Sequence, residues 1–404
     1  MKYRLPAFAV LACTTLLGGC GPRGGQPPGP DAAFERQLQE QVLHAAPGSV
    51  IAIPMGTHKL TQSLALRASG VTLRGTGTES STLSFGGAPA GAPGVVLSGN
   101  DVDIENLSIE DTSGDALVIK GGRNVVVRSV RIAWNRAPAA AARGLVAEGT
   151  HNLLIEDTAA YSAAGVGIDL SRSRNVIVRR CHVEQNAGAG LGIANTVASD
   201  VSACVATGNA AGIVISSAPG LQQPGYAIRL FGNRIFKNNL PAGAPGAVPS
   251  GIGVAILAAS QVEIFDNDIA YNQTANVSIS AASGAAGQGG GFDPYPSAIF
   301  IHDNRFAGGG NAPDGAPLKA IRSALFANKD PLPSIVWDGR GREAGAGPAG
   351  PAQLCVRNAG AQVLNTDAAH DYQQPVVTTA RFDCELSKLP AVVLSAAAPQ
   401  RLGS

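Results

Sequence analysis

One short phrase recurs through residues 98–306 and constrains this chain more than anything else in it. It reads apolar-x-apolar, two or three polar residues, a second short apolar strand, Asn or Gly, then small-Gly-apolar-x-apolar. The copies are NVVVRSVRIAWN (124–135), NLLIEDTAAYSA (152–163), NVIVRRCHVEQN (175–186), SDVSACVATGN (199–209), IRLFGNRIFKNN (228–239), VEIFDNDIAYN (262–272) and IFIHDNRF (299–306). A weaker copy, DVDIENLSIEDT (101–112), precedes them. Equivalent residues are Leu107, Val130, Thr158, Cys181, Cys204, Asn233, Asn267 and Asn304, spaced 23, 28, 23, 23, 29, 34 and 37 apart. A basic repeat near 23 with insertions at fixed points is a solenoid signature.

Each copy alternates apolar and polar residues over short runs broken by Gly, Asn and Ser, the pattern of short strands joined by turns. Three such strands per repeat make one coil of a parallel β-helix, each coil adding about 4.8 Å to the stack. The leucine-rich framework L-x-x-L-x-L-x-x-N, the rival at this period, is absent. The Asn233–Asn267–Asn304 column fits the helix, because Asn tolerates left-handed turn geometry and stacked amides can bond from coil to coil. The expected fold is all-β: a right-handed parallel β-helix solenoid with an N-terminal capping helix and a small C-terminal tail.

With 45% hydrophobic residues, only 5% aromatic, and 51 glycines in 404 residues, the core must be built of small and branched side chains in thin layers. Lys and Arg (30) balance Asp and Glu (29), which gives no electrostatic basis for nucleic-acid binding.

Lys2 and Arg4 open the chain, and Ala7–Leu17 is apolar but too short to span a membrane. Leu17-Gly18-Gly19-Cys20 resembles the bacterial lipoprotein box, predicting cleavage before Cys20 and a lipid on its side chain; an ordinary secretory signal is the alternative. Gly21 after the cysteine points, by analogy with other lipoproteins, to the outer membrane. The expected division is a signal peptide over 1–19, a Gly/Pro tether over 20–31, the capped β-helix over 32–340, and a linker and disulfide-containing tail over 341–404.

In an exported chain Cys355 and Cys384 are expected to be bonded. Cys181 and Cys204 share one position of adjacent coils, near enough for a bond, but in-register side chains project in parallel and buried, unreactive thiols are expected. Ala32–Ala46 places Phe34, Leu38, Val42 and Leu43 on one helical face, suiting it to cover the open end of the first coil. Insertions at Trp134–Arg143, Ser217–Tyr226, Leu240–Ser250 and Ala281–Ser297 are expected to build a binding face, and beyond Ala307 the repeat decays.

The order of helix, GSVIAIPMGTHKL (48–60) and VTLRGTG (71–77) resembles the opening of pectate-lyase-like β-helices. IEDTSGDAL (109–117), RNVIVR (174–179), residues 221–257, FDNDIAYNQTANVSI (265–279), FDPYPSAIFIHDN (292–304) and the LCVRN…FDC tail resemble a family of exported bacterial parallel β-helix repeat-containing proteins. The resemblance implies a signal or lipid anchor, a right-handed β-helix, and frequent gene pairing with an exported c-type cytochrome-like partner protein; it implies no particular reaction. In such relatives the outward position of the small-Gly-apolar-x-apolar strand often carries Tyr, Glu or Lys. Here that column reads Val118, Val146, Asp169, Gly192, Val214, Ala255, Ser278.

Enzymes of this fold that act on uronates need a base, a cation for the carboxylate and a proton donor. The best cluster for that chemistry is Lys120, Glu148, Asp169 and Arg172 on successive coils of one face, with a surface ion pair as the competing reading. Neither the Asp-Pro-His-Asp motif of alginate epimerases nor the Asp and Arg motifs of pectate lyases is present. His151, His182, His302 and His370 read as solvated turn residues without a second ligand, so no metal or cofactor is expected, and one GQGGGFD (287–293) is no calcium repeat. Tyr226 and Tyr295 are candidate aromatic anchors for a ligand. Two functions follow: a non-catalytic cell-envelope protein that binds a glycan or a partner protein through the side of the solenoid, or a polysaccharide-active enzyme of the uronate lyase or C5-epimerase type.

Overall fold

The computed structural model describes residues 32–136, 141–221, 223–242, 248–282, 292–341 and 353–395. The signal peptide, Cys20, the tether, Gly287–Gly291 of the glycine run and Glu343–Pro351 lie outside the described residues. Among the described residues the strands form two sheets, of 12 and 19 strands. In the twelve-strand sheet, successive coils lie side by side from Leu64–Leu66 to Val363–Asn365, all parallel. The nineteen-strand sheet turns a corner along its length. Its long arm holds strands such as His151–Glu156 and Arg174–Arg179, and its short arm strands such as Ala159–Tyr161 and His182–Glu184. Each coil thus makes three runs around one continuous apolar core.

The corner between the arms explains the repeat. Asn106, Ser129, Asp157, Arg180, Ala203, Asp266 and Asp303 all have φ between 50° and 59°, and Gly232 has 64°. Each stands one place before the column that begins at Leu107. The left-handed residue makes the bend, and the next side chain is turned into the core. Asn233, Asn267 and Asn304 are therefore not the left-handed residues of the turn but its inward neighbours. Asn233 Nδ2 donates to Asn267 Oδ1, and Asn267 Nδ2 to Asn304 Oδ1, both at 2.9 Å. Cys181 and Cys204 continue the same column as free, buried thiols, and the Cys181 amide donates to Cys204 Sγ at 3.3 Å.

A second buried ladder runs where the short arm turns back toward the twelve-strand sheet. Asn186, Asn209, Asn238 and Asn272 pass side-chain hydrogen bonds from coil to coil at 2.8–3.1 Å. A third, partly exposed, joins Asp101, Asn124, Asn152 and Asn175. Backbone groups that a short turn leaves unpaired are thereby satisfied without water.

Helix α1 (Ala32–Leu43) covers the first coils as expected, with Leu38 and Val42 buried. Leu43, placed on that face by its spacing, is instead exposed. Glu35 is buried in its stead, because its carboxylate accepts from the Thr61 and Gln62 amides and the Thr61 hydroxyl at 2.8–2.9 Å. The boundary at 340 is also corrected. Leu354–Arg357 and Val363–Asn365 extend both sheets by another coil, so residues 354–365 belong to the solenoid. Val376–Thr378 then closes the twelve-strand sheet antiparallel. Cys355 and Cys384 form the expected disulfide. Helix α2 (Ala316–Phe326), unexpected from the sequence, packs Ile321 against Leu332, Val336 and Leu364 on the outside of that sheet.

Candidate functional site

The outward column Val118–Val146–Asp169–Gly192–Val214–Ala255–Ser278 is in register across the twelve-strand sheet. Because Gly192 has no side chain and its neighbours are small, the middle of this face sinks into a trough. Val166, Ala187–Ala189, Ala210 and Ala211 border it, and Ala242, Val248 and Pro249 of the 240–250 insertion wall it, enclosing about 210 Å³. Across that insertion lies a larger cleft of about 680 Å³, lined by Asn239, Gln273, Asn311, Asp314, Lys319 and Arg322 among others. Ala242 lines both, so the insertion stands between trough and cleft.

The cleft is polar where the trough is apolar. Asn239 Oδ1 accepts from the Gln273 amide at 2.8 Å, tying two successive coils together at its floor. Lys319 and Arg322, three residues apart and hence on one side of α2, reach the same space. Arg322 donates to the carbonyls of Asp330 and Asn328 at 3.1 and 2.8 Å, which fixes its plane. Lys319 has no ion-pair partner among the described residues. These side chains escaped the sequence reading because the repeat has ended before α2 begins. The one available signal was the apolar spacing Leu318, Ile321, Leu325 after Pro317.

The expected catalytic cluster is partly assembled. Lys120, Glu148 and Ser171 stand side by side on adjacent strands. Glu148, however, pairs with Arg172. Asp169 occupies the other outward column, at the rim of the trough, where Arg143 bridges it to Asp115 with both contacts at 2.7 Å. Asp115, then Asp169, holds the Arg143 charge against the opposing effect of burial. Both carboxylates of the expected cluster are therefore held by guanidinium groups in the free protein. They serve readily as hydrogen-bond acceptors, and a base role requires that the arginines release them.

Tyr226 opens the long-arm strand Tyr226–Phe231 and Tyr295 sits in the turn whose amide donates to Asp293; both are half-buried, and neither lines the trough or the cleft. His302 is not the solvated residue its sequence suggests. It is buried, with Nε2 3.1 Å from Glu263 and Nδ1 2.7 Å from Asp303. His182 faces Glu184 at 2.9 Å. No group of three metal-ligating side chains occurs among the described residues.

Residues 69–223 match the family described as the right handed beta helix region. No curated protein matches the sequence. Among solved structures, the chain is similar to the A-module of the Azotobacter vinelandii mannuronan C-5 epimerase AlgE4, with a TM-score of 0.54 and 16% identity over 82% of this chain and 91% of that one. The A-module of epimerase AlgE6 from the same organism gives 0.51 and 13%, over 82% and 89%. At such identities the likeness is one of fold.

Proposed function

We propose that this chain, a right-handed parallel β-helix protein, binds a polysaccharide in the trough and cleft that flank the 240–250 insertion. The observation that carries the reading is that an apolar trough with a small-residue floor and a polar cleft flank one insertion and share Ala242, an arrangement with room for several units of a linear polymer. Asp169 and Arg143 at the trough, and Asn239, Gln273 and Lys319 in the cleft, offer the acceptors and donors that sugar hydroxyls require. Calorimetric titration with alginate, pectate, dextran and laminarin oligosaccharides tests it. At least one should bind, and Lys319→Ala should weaken that binding about 10–100-fold, the worth of one charge-assisted hydrogen bond. No binding to any of the four, or none of the loss in Lys319→Ala, would refute the assignment of these hollows.

A second reading is catalysis of the uronate lyase or C5-epimerase type. It is supported by the fold likeness to two mannuronan epimerases and by an Asp–Arg pair standing at the trough. Ultraviolet absorbance of unsaturated products and the epimer content of alginate distinguish it from binding. Turnover that disappears in Asp169→Asn or Glu148→Gln selects the enzyme. The Cys20 lipid anchor is proposed alongside either reading. Cys20→Ala should move the protein out of the membrane fraction, and unchanged fractionation would refute the anchor.

A further inference from the structure

Gly192 lies at the floor of the trough, on the strand Ala189–Ala194, and neither backbone nor packing requires a glycine there. The other glycines of the twelve-strand sheet are crowded. At Gly190, Gly212 and Gly253 a β-carbon would stand 2.7, 2.4 and 2.6 Å from its nearest neighbour. At Gly192 the nearest atoms are Asp169 Oδ1 at 3.0 Å, the tip of a side chain, and a Val166 methyl at 3.5 Å. Its φ is not left-handed either. The strands on both sides carry side chains in the same outward column, Asp169 and Val214. A glycine inside a strand weakens it, and the local effect of this one is to leave the floor of the trough open.

The space so left is about 210 Å³. An apolar cavity of about 150 Å³ takes benzene, so this one holds about eight non-hydrogen atoms, fewer than a hexose residue and far fewer than a fatty acyl chain. Its walls are mostly alkyl: Val166, Ala189, Ala211, Val214, Val248 and Pro249. No aromatic ring is among the described lining residues, so a bare sugar face finds nothing to stack on. Sugar hydroxyls set against such walls give up hydrogen bonds to water and gain none. A methyl group covers the same walls without that cost. Two polar groups also line the trough. The Ser216 hydroxyl can donate to a carbonyl, and Asp169 Oδ1 can accept, since the Arg143 bond at 2.7 Å goes to Oδ2.

We propose, resting on the reading of these hollows as a polysaccharide site, that the trough receives an acetyl group carried by the sugar chain. The methyl lies over Gly192 between Val166 and Val214, and the carbonyl accepts from the Ser216 hydroxyl. The sugars themselves run outside the trough, where the polar groups are. An O-acetyl ester and an N-acetyl amide share this chemistry; the amide adds an N–H that Asp169 Oδ1 can accept.

Calorimetric titration of the full chain tests this in two arms. One compares the alginate, pectate, dextran and laminarin oligosaccharides with their O-acetylated forms. The other compares the N-acetylglucosamine tetramer with the glucose tetramer of the same linkage. In at least one arm the acetylated member should bind about 10–50-fold more tightly, the worth of one buried methyl and one hydrogen bond, and that arm identifies ester or amide. Gly192→Val fills the trough with a side chain that suits a strand, and it should bring the ratio of the two affinities down to about 1. If that variant does not fold, Val214→Leu narrows the trough from the adjoining strand and should lower the ratio in the same direction. Equal affinities in both arms, or a ratio unchanged in a folded Gly192→Val or Val214→Leu, overturn the acetyl assignment and leave the polysaccharide reading standing. No binding by any glycan, acetylated or not, overturns both.

Discussion

At position 212 a β-carbon would stand 2.4 Å from the Gly253 carbonyl oxygen, 2.6 Å from Ile235 and 3.0 Å from Asn238 Nδ2. Two of those atoms are backbone or rigid branched side chain, and the third belongs to the buried Asn ladder, so no neighbour can yield cheaply. The same crowding recurs at the equivalent glycine one coil earlier, Gly190, where Asn209 Nδ2 would be 2.8 Å away. This ties two parts of the recurring phrase together. The Asn that ends one copy of the phrase fills, with its amide, the space that a side chain on the preceding copy's glycine would take, Asn209 against Gly190 and Asn238 against Gly212. Gly212→Ala should therefore cost about 2–4 kcal/mol through overpacking and a disturbed amide ladder, measured as a lower urea midpoint at unchanged slope. A loss under about 0.5 kcal/mol would mean the coils can spread at this corner and are not closely packed around Gly212.

Along the long arm, one strand gathers charge in a way that its alternation alone does not announce. Glu156, at the end of His151–Glu156, is buried yet meets Arg128 and Arg179 from the two adjacent strands, each at 2.7 Å, and Arg180 at 2.8 Å. Burial pushes its carboxyl up, but the hydrogen bonds from Arg128 and Arg179 outweigh it and hold the group below its usual value of 4.5. A carboxyl depressed on folding contributes stability above its unfolded pKa, and that contribution is lost as pH falls through the folded value. Between pH 5 and 3 the wild-type urea midpoint should fall, and Glu156→Gln should flatten that limb while lowering stability at pH 7 by about 1–3 kcal/mol. An unaltered acid limb in the variant would show the charge to be unlinked to folding. The inward columns were legible because alternation of period two survives any insertion between strands, and the Asn233–Asn267–Asn304 and Cys181–Cys204 columns because stacking repeats a residue type at one position. Asp169 was legible as an outward acid, but its partner Arg143 comes from an insertion, at no fixed offset. The tail's path was illegible for a different reason. Leu389 and Val392 are held through backbone N–H groups by residues 126 and 192 positions away, and a backbone donor leaves no mark on residue identity.

A stack of coils has two ends, and each exposes a strand edge able to pair with another chain unless something covers it. The C-terminal end is closed by the antiparallel strand Val376–Thr378 and by Phe382, which meets Trp337 edge-on with ring centres 5.6 Å apart. At the N-terminal end the cover is α1. Leu38 and Val42 bury their apolar face on the first coils, Phe34 stacks on His58 with ring centres 3.9 Å apart, and Glu35 clamps the amides of Thr61 and Gln62. Local and global preferences differ at this helix. Twelve residues are too few to be stable as a free helix in water, so α1 depends on the solenoid as much as it protects it. Removing residues 32–46 should leave most of the parallel ladder folded, since each coil is supported chiefly by its neighbours, while opening the Leu64–Leu66 layer to water. The shortened protein should associate with rising concentration, visible by light scattering after size exclusion, with little change in its strand signal in circular dichroism. Glu35→Ala, which removes three hydrogen bonds and leaves the helix in place, should lower stability by about 2–3 kcal/mol without association. A deletion variant that stays monomeric at high concentration would show that the first coil protects its own edge, and the capping role of α1 would have to be given up.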